Sequence, residues 1–173
     1  EWNSIAIPAS RTARLRVRHA ISNEWIRSSD RDFLIHNTNV TYYVNDASTN
    51  GDIYCSSPGA EGNTGFSPGS PLPSLGTLLA QCDLEPGDVV KIDAGEYASS
   101  TPVAVGYLDS GTAADPVTIQ GATNRPGSVF LGNGLAIGNA RGVRVRNLRF
   151  TTAVKLPVAA SIVTAEDIAL EAV

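Results

Sequence analysis

A short apolar pattern recurs along the C-terminal half of the chain with a spacing in the mid-twenties. Residues 88–95 (DVVKIDAG) match residues 115–122 (DPVTIQGA) twenty-seven positions later, with Asp, Val and Ile in register. Each unit is a short segment with alternate apolar side chains, bounded by Gly, Asn or Asp, which predicts a strand. A repeat of this length is typical of a solenoid coil. Further copies of the apolar pair stand at Val143 with Val145 and at Ile168 with Leu170.

Stacked in parallel, these strands bury two columns of side chains, and the residues between them face outward. The pattern predicts an all-β fold, a right-handed parallel β-helix of about four coils. The competing interpretation is a doubly wound α/β sheet, but the gaps between strands are rich in Gly and Pro and lack amphipathic helices. The predicted inner residues are Val90, Val117, Val143 and Ile168 in one column and Ile92, Ile119, Val145 and Leu170 in the other; Lys91, Thr118, Arg144 and Ala169 are predicted to face outward.

Residues 38–87 are predicted to be an N-terminal cap for these coils. After a strand at 42–44, the chain is rich in Gly and Pro as far as Pro73. Pro73 suits a first helical turn, and the following leucines share one face, so a helix is predicted over about 73–83, before Pro86-Gly87. The coils then occupy residues 88–173.

Residues 1–37 have a different pattern, predicted to be a short antiparallel β segment. Ala13, Leu15 and Val17 alternate with arginines, the period of a half-buried strand. The run SDRDFLI at 29–35 is similar to the closing pattern of an immunoglobulin-like or fibronectin-like sandwich. The segment is therefore interpreted as the trailing strands of such a sandwich, and the alternative is an N-terminal hairpin packed on the next domain.

Charge and composition limit the classes of partner and the cellular locations that fit this sequence. The net charge is −4, and residues 37–116 hold ten acidic residues against one lysine, so a nucleic-acid partner is not expected. No apolar run approaches the length of a membrane span. The start at Glu1 without a signal-like segment indicates processing from something longer. The sequon at Asn39, a candidate glycosylation site, and the Asp/Asn/Gly-rich loops indicate an extracellular or cell-surface location.

The two cysteines and the oxygen-rich loop of the cap are candidate structural sites. Cys55 and Cys82 are predicted to form a disulfide that ties the cap loop to the end of the helix, and two buried thiols are the alternative. The loop could hold calcium, which takes six to eight oxygens, although Asx turns explain the same composition without a metal. No other cofactor is expected. The candidate calcium ligands are Asp46, Asp52, Glu61 and Asn63.

An arginine-rich strand is the candidate carbohydrate-binding site. Arg144 and Arg146 alternate with Val143 and Val145, so they should project from the outer face, with Arg141 and Arg149 flanking them. Guanidinium groups there could bind carboxylates or sulfates. The alternative is a solvated strand face on which Glu171 pairs with Arg146 one coil further on.

The order of motifs resembles the pectate-lyase-like superfamily of extracellular β-helix proteins. The Gly-rich loop at 59–71, the helix start at Ser74-Leu75 and the strand PGDVVKIDAGEY at 86–97 are similar to the cap of that superfamily. Residues 110–119 are similar to the second-coil motif of its alginate-lyase and chondroitinase-B-like members. The same cap opens lyases, epimerases, glycosidases and large surface proteins without catalysis. In the lyases, the catalytic Lys and Arg and the calcium-binding acids lie on later coils, so no catalytic residue is assigned here.

Three functions remain open from the sequence. The first is a non-catalytic structural or adhesive segment of a large secreted β-helix protein, which makes this chain by itself more a scaffold than an enzyme. The second is the N-terminal part of a lyase or related enzyme acting on acidic polysaccharide, and the third is a carbohydrate-binding module. Residues 167–173 form a strand in mid-repeat, so further domains or other copies of the chain are the expected partners, with a head-to-tail filament as one outcome.

Overall fold

The structure, a computed structural model, divides into two compact units, Glu1–Asn37 and Thr38–Val173. Strands dominate its secondary structure, with one short α-helix and one short 3-10 helix among the described residues. Within this described part, no helix is long and apolar enough to cross a membrane. The residues described are 10–29, 33–35, 39–124, 127–132, 134–150 and 169–171.

The first unit contains two antiparallel strand pairs. Strand β1 (Ser10–Ala13) pairs with β4 (Phe33–Ile35), and β2 (Arg16–Arg18) pairs with β3 (Trp25–Ser28). The Arg18 guanidinium lies 4.4 Å from the centroid of the Trp25 ring. The expectation of a half-buried face is wrong for the described residues, because Leu15 and Val17 are 55% and 50% exposed. Strand β2 pairs with β3 in a two-stranded sheet, and all three of its residues are exposed.

The second unit is built from parallel strands in three sheets. The five-stranded sheet has the order β14-β12-β9-β6-β5, the three-stranded sheet β13-β10-β7 and the two-stranded sheet β11-β8. Every strand pair in these sheets is parallel. The elements in chain order are β5 (Thr41–Val44), α1 (Leu75–Leu79), β6 (Val89–Ile92), β7 (Gly95–Ser99), β8 (Val103–Val105), the 3-10 helix Tyr107–Asp109, β9 (Val117–Gly121), β10 (Ser128–Gly132), β11 (Leu135–Ile137), β12 (Val143–Arg146), β13 (Leu148–Phe150) and β14 (Ala169–Glu171).

The alternation of inward and outward side chains is confirmed on the described strands. Val90, Ile92, Val117, Ile119, Val143 and Val145 are all buried. Lys91, Thr118 and Arg144 alternate with them and are half-buried on the other face of the sheet. Ile168 and the side chains of Ala169 and Leu170 lie outside the described residues.

The predicted register of the first coil is wrong by two residues. Val90 pairs with Ile119 and not with Val117, so the first repeat is 29 residues long. The later pairs, Val117 with Val143 and Val145 with Leu170, have the predicted spacing. Asp88 and Asp115 match in the sequence repeat but are not equivalent in the structure. Asp88 is fully buried, whereas Asp115 is exposed. A shift of two residues keeps each side chain on its face, which is why the burial pattern was still predicted correctly.

A row of stacked aromatic rings runs across the three-stranded sheet. Tyr97, Phe130 and Phe150 occupy the same register position on β7, β10 and β13. The ring centroids are 5.6 Å apart in each successive pair. Aromatic pairs at this separation stabilise a core beyond the area that they bury. The Tyr97 hydroxyl donates to the Asp93 carbonyl at 2.9 Å, so this stack is fixed to the end of β6.

The cap helix is shorter than predicted. Ser74 is its N-cap, and its Oγ accepts a hydrogen bond from the Thr77 amide at 3.0 Å. Pro73 therefore lies before the helix and not in its first turn. Leu75 and Leu78 are buried, as their spacing indicated, but the helix ends at Leu79 and not near residue 83. A turn follows, in which the Cys82 amide donates to the Leu78 carbonyl at 3.1 Å.

Candidate functional site

The loop after β5 is bound to the end of β6 by one buried carboxylate. Asp93 follows β6 and is fully buried. Its oxygens accept hydrogen bonds from the amides of Ile53, Tyr54 and Ala94, each at 2.8 Å, and from the amide of Cys55. Four N–H donors around one carboxylate form a strong, charge-assisted cluster. The cluster fixes the segment from residue 46 to 58, here called the cap loop, on the parallel strands.

The start of the cap loop is organised by a second buried polar side chain. Asn45 is fully buried, and its Nδ2 donates to the Ser48 carbonyl at 3.0 Å and the Ser57 carbonyl at 2.9 Å. The same nitrogen lies 2.6 Å from Asp52 Oδ2. Asp46 accepts from the amides of Ser48 and Glu96 at 2.7 and 3.2 Å. The hydrogen bond from the Ser48 amide to Asp46 is an Asx-type turn, which is the alternative to calcium binding.

The four predicted calcium ligands have different hydrogen-bond partners. Asp46 and Asp52 lie in the cap loop. Burial raises the pKa of Asp52, the hydrogen bond from Asn45 lowers it, and the charges of Asp93 and Asp46 raise it further. Glu61 accepts from the Thr77 hydroxyl at 3.3 Å, and Asn63 donates to the Pro71 carbonyl at 2.7 Å. Within the described ranges, no group of three or more His, Cys, Asp or Glu side chains could hold a metal ion.

The predicted disulfide between Cys55 and Cys82 is not formed in this structure. Cys55 Sγ lies 3.8 Å from the Val44 carbonyl, and Cys82 Sγ lies 3.4 Å from the Leu78 carbonyl. Each thiol therefore faces a backbone carbonyl, that of Val44 at the end of β5 for Cys55 and that of Leu78 in α1 for Cys82. Burial, together with the charge of Asp93, raises the pKa of the Cys55 thiol. This keeps the thiol protonated and unreactive at neutral pH.

Two further buried acids hold connecting segments. Asp88 is fully buried and accepts from the amides of Val40 and Glu85 at 2.8 and 2.9 Å. Asp109 accepts from the Gly106 amide at 2.9 Å and the Leu84 amide at 3.3 Å. Burial raises the pKa of Asp109, these two N–H donors lower it, and Asp83 raises it further. Both acids bind backbone amides, as Asp93 does.

The outer face of the five-stranded sheet carries a polar and aromatic column. Tyr43, Lys91, Gln120 and Arg146 occupy one register position on β5, β6, β9 and β12. Lys91 Nζ lies 5.8 Å from the Tyr43 ring centroid and 5.4 Å from that of Tyr54, which the cap loop contributes. The Tyr54 hydroxyl donates to the Gly121 carbonyl at 3.2 Å and accepts from Gln120 Nε2 at 3.0 Å. This set of five residues is the outer column.

The four predicted arginines are divided between positions. Arg144 and Arg146 lie on the outer face of β12, as the alternation indicated. Arg149 lies on β13, in the three-stranded sheet, and Arg141 precedes β12; both are exposed. The sequence interpretation did not assign Lys91, Gln120 or the two tyrosines to this site. The outward position of Lys91 on its strand was the available signal, whereas the place of Tyr54 depends on the path of the cap loop.

Asn39, the candidate glycosylation site, is exposed immediately before β5 and has φ +65°. Its Oδ1 lies close to Gly87, which leaves no room for a side chain at residue 87. The sequon is therefore at the surface, at the entry to the second unit. Comparisons of the chain with protein-family models, with curated proteins and with solved structures found no match.

Proposed function

We propose that residues 38–173 form the cap and first coils of a right-handed parallel β-helix, and that this segment is a non-catalytic structural or adhesive part of a secreted or cell-surface protein. One observation carries the proposal. The strand order β6-β7-β8 recurs as β9-β10-β11 and begins again as β12-β13, and each strand pairs in parallel with its counterpart in the next repeat. Such repetition stabilises a solenoid through neighbouring coils alone.

The hydrogen bonds of the buried acids support a structural role for this segment. Asp88, Asp93 and Asp109 all accept hydrogen bonds from backbone amides of connecting segments. A general acid or base needs a proton that it can exchange with a substrate. Carboxylates that are buried and surrounded by amide donors hold loops in place instead. The resemblance of residues 59–97 to the β-helix cap and the sequon at Asn39 support the extracellular setting.

A register-specific cross-link tests the coil stacking. In a chain with Cys55 and Cys82 replaced by serine, Lys91→Cys combined with Gln120→Cys should form a disulfide on mild oxidation, because paired positions on adjacent strands lie about 5 Å apart. The control, Lys91→Cys with Thr118→Cys, has the register predicted from the sequence repeat. Its positions are about 8 Å apart, too far for a disulfide. Non-reducing mass spectrometry distinguishes the two pairs, and cross-linking of the control pair alone would contradict the stacking.

A second candidate function, binding of acidic polysaccharide without cleavage, is favoured by the outer column. Tyr43 and Tyr54 supply ring faces, and Lys91, Arg144 and Arg146 supply cationic groups on the same side of the sheet. Repeats about 5 Å apart along a stack of coils match a linear ligand that carries regularly spaced carboxylate or sulfate groups. Arginine binds such groups through two parallel hydrogen bonds.

Binding is tested with alginate, pectate and chondroitin sulfate. Lys91→Ala with Arg146→Ala should weaken binding by about tenfold or more, since each charged contact contributes about 1 kcal/mol or more. The matched control, Arg141→Ala with Arg149→Ala, removes the same charge outside the column and should have little effect. Equal losses in both variants would indicate attraction by net charge alone. Appearance of unsaturated product in the wild type would replace the scaffold proposal with a lyase.

A further inference from the structure

We propose that Asn50 and Gly51 form a site of spontaneous chemical modification, at which the Asn50 side-chain amide is converted to a carboxylate through a cyclic imide. Both residues are exposed in a turn of the cap loop, closed by the Asp52 amide and the Thr49 carbonyl at 3.5 Å. Gly51 has φ +83°, and the lack of a side chain leaves its amide nitrogen open to close approach. The modification needs no enzyme and no cofactor.

The reaction is an intramolecular acyl transfer. The Gly51 amide nitrogen, after losing its proton to solvent base, attacks Asn50 Cγ and forms a new C–N bond. The bond from Cγ to Nδ2 breaks, and the nitrogen takes up a proton from solvent and leaves as ammonia, which gives a five-membered succinimide. Water then opens the ring at either carbonyl, so the product is aspartate or isoaspartate. No oxidation or reduction occurs, and water is the one co-reactant.

The position of Asn50 distinguishes it from the other asparagines of the cap. Asn45 is fully buried, and its amide nitrogen donates to two carbonyls and to Asp52. Asn63 donates to the Pro71 carbonyl and is followed by Thr64. Asn50 is exposed and is followed by glycine. The sequence has one other Asn-Gly pair, at residues 133 and 134, and Asn133 lies outside the described residues.

Conversion of Asn50 would weaken the hydrogen bonds that hold the cap loop in place. The side-chain amide of Asn124 donates to the Gly51 carbonyl at 2.5 Å, and the backbone amide of Asn50 donates to Ser48 Oγ at 3.0 Å. Isoaspartate inserts an additional backbone carbon between these two anchors, which displaces the Gly51 carbonyl. Either product also adds a negative charge to a loop that already contains Asp46 and Asp52, with Asp93 beneath it. Repulsion between like charges then favours opening of the loop.

The test is incubation of the native protein in mildly alkaline buffer, followed by peptide mapping with mass spectrometry. We expect the peptide containing Asn50 to acquire the mass of the acid in the native protein at a rate close to that in urea, while Asn45 stays an amide in the native protein. Asn50→Gln should abolish the conversion at this position, because a six-membered imide forms far more slowly; the exposed side chain makes this change harmless to the fold. An Asn50 peptide that converts in urea but stays an amide in the native protein would overturn the proposal.

The effect on the loop is measured separately. The converted protein, separated by ion exchange, should show faster hydrogen exchange at the amides of Ile53, Tyr54 and Cys55 than the unconverted protein. The Asn50→Gln protein, carried through the same incubation, should keep its original exchange rates. Equal exchange in converted and unconverted fractions would overturn the predicted opening of the loop.

Discussion

Replacing Asp93 with alanine is expected to destabilise the second unit by about 3 to 5 kcal/mol, since four amide donors lose their acceptor and a buried donor without a partner costs about 1 to 3 kcal/mol. The four amides are those of Ile53, Tyr54, Cys55 and Ala94. Three of them belong to the cap loop, so the loop should open and let water solvate them, which keeps the cost below the full sum. Asp93→Asn should also destabilise the unit, although less, because its Nδ2 would direct N–H donors at two of the four amides while its remaining oxygen still accepts from the other two.

Urea unfolding followed by circular dichroism gives the free energy, and hydrogen exchange at residues 53–55 locates the change. The matched control is Asp115→Ala, which removes an exposed carboxylate and should change stability by less than about 0.5 kcal/mol. Equal stability of the Asp93 and Asp115 variants would mean that the buried carboxylate does not anchor the loop. Loss of stability without faster exchange at the loop would point to another role for Asp93.

The local pattern of the strands was predictable because alternation depends on neighbouring residues only. Val90 and Ile92 face inward and Lys91 faces outward whatever strand lies beside them. The register needed more information, since it depends on which residue of the next coil lies opposite. Asp88 and Asp115 look equivalent in the sequence, but Asp88 is buried against the amides of Val40 and Glu85, and Asp115 is exposed. One of these partners, Val40, is 48 residues from Asp88 in sequence, so no periodicity reveals it.

In the candidate sites, too, the positions of residues on a strand could be predicted, but contacts made by the loops could not. Arg144 and Arg146 could be placed on the outer face because they alternate with buried valines. The contact of Lys91 with Tyr54 could not be predicted, because it requires the cap loop to return over the sheet. The positions of Cys55 and Cys82, and of the four candidate calcium ligands, relative to one another could not be predicted for the same reason. Composition placed cysteines and oxygen ligands in one cap, but it carried no information on which of them come together.

Gly121 is the position at which close packing between successive strand repeats has its largest expected consequence. A Cβ at residue 121 would lie 2.2 Å from the Asn147 carbonyl oxygen and 2.8 Å from Leu148 Cδ2. The nearer atom belongs to the backbone, at the turn between β12 and β13, and cannot move without separating β12 from β9. Overpacking a close-packed core costs about 1 to 3 kcal/mol, and occasionally more. We therefore expect Gly121→Ala to destabilise the second unit by about 3 kcal/mol.

The control for this change is Gly138→Ala, because a Cβ at residue 138 meets no atom within 4 Å. Neither glycine has a positive φ, so the two substitutions differ in the space around the new methyl group and not in backbone strain. Gly138→Ala should be neutral or stabilise by about 0.5 kcal/mol, because alanine restricts the unfolded chain. Thermal and urea unfolding of both variants measure the difference. If Gly121→Ala were as stable as Gly138→Ala, then the turn at Asn147 could not lie against β9, and the stacking of the third repeat on the second would be wrong.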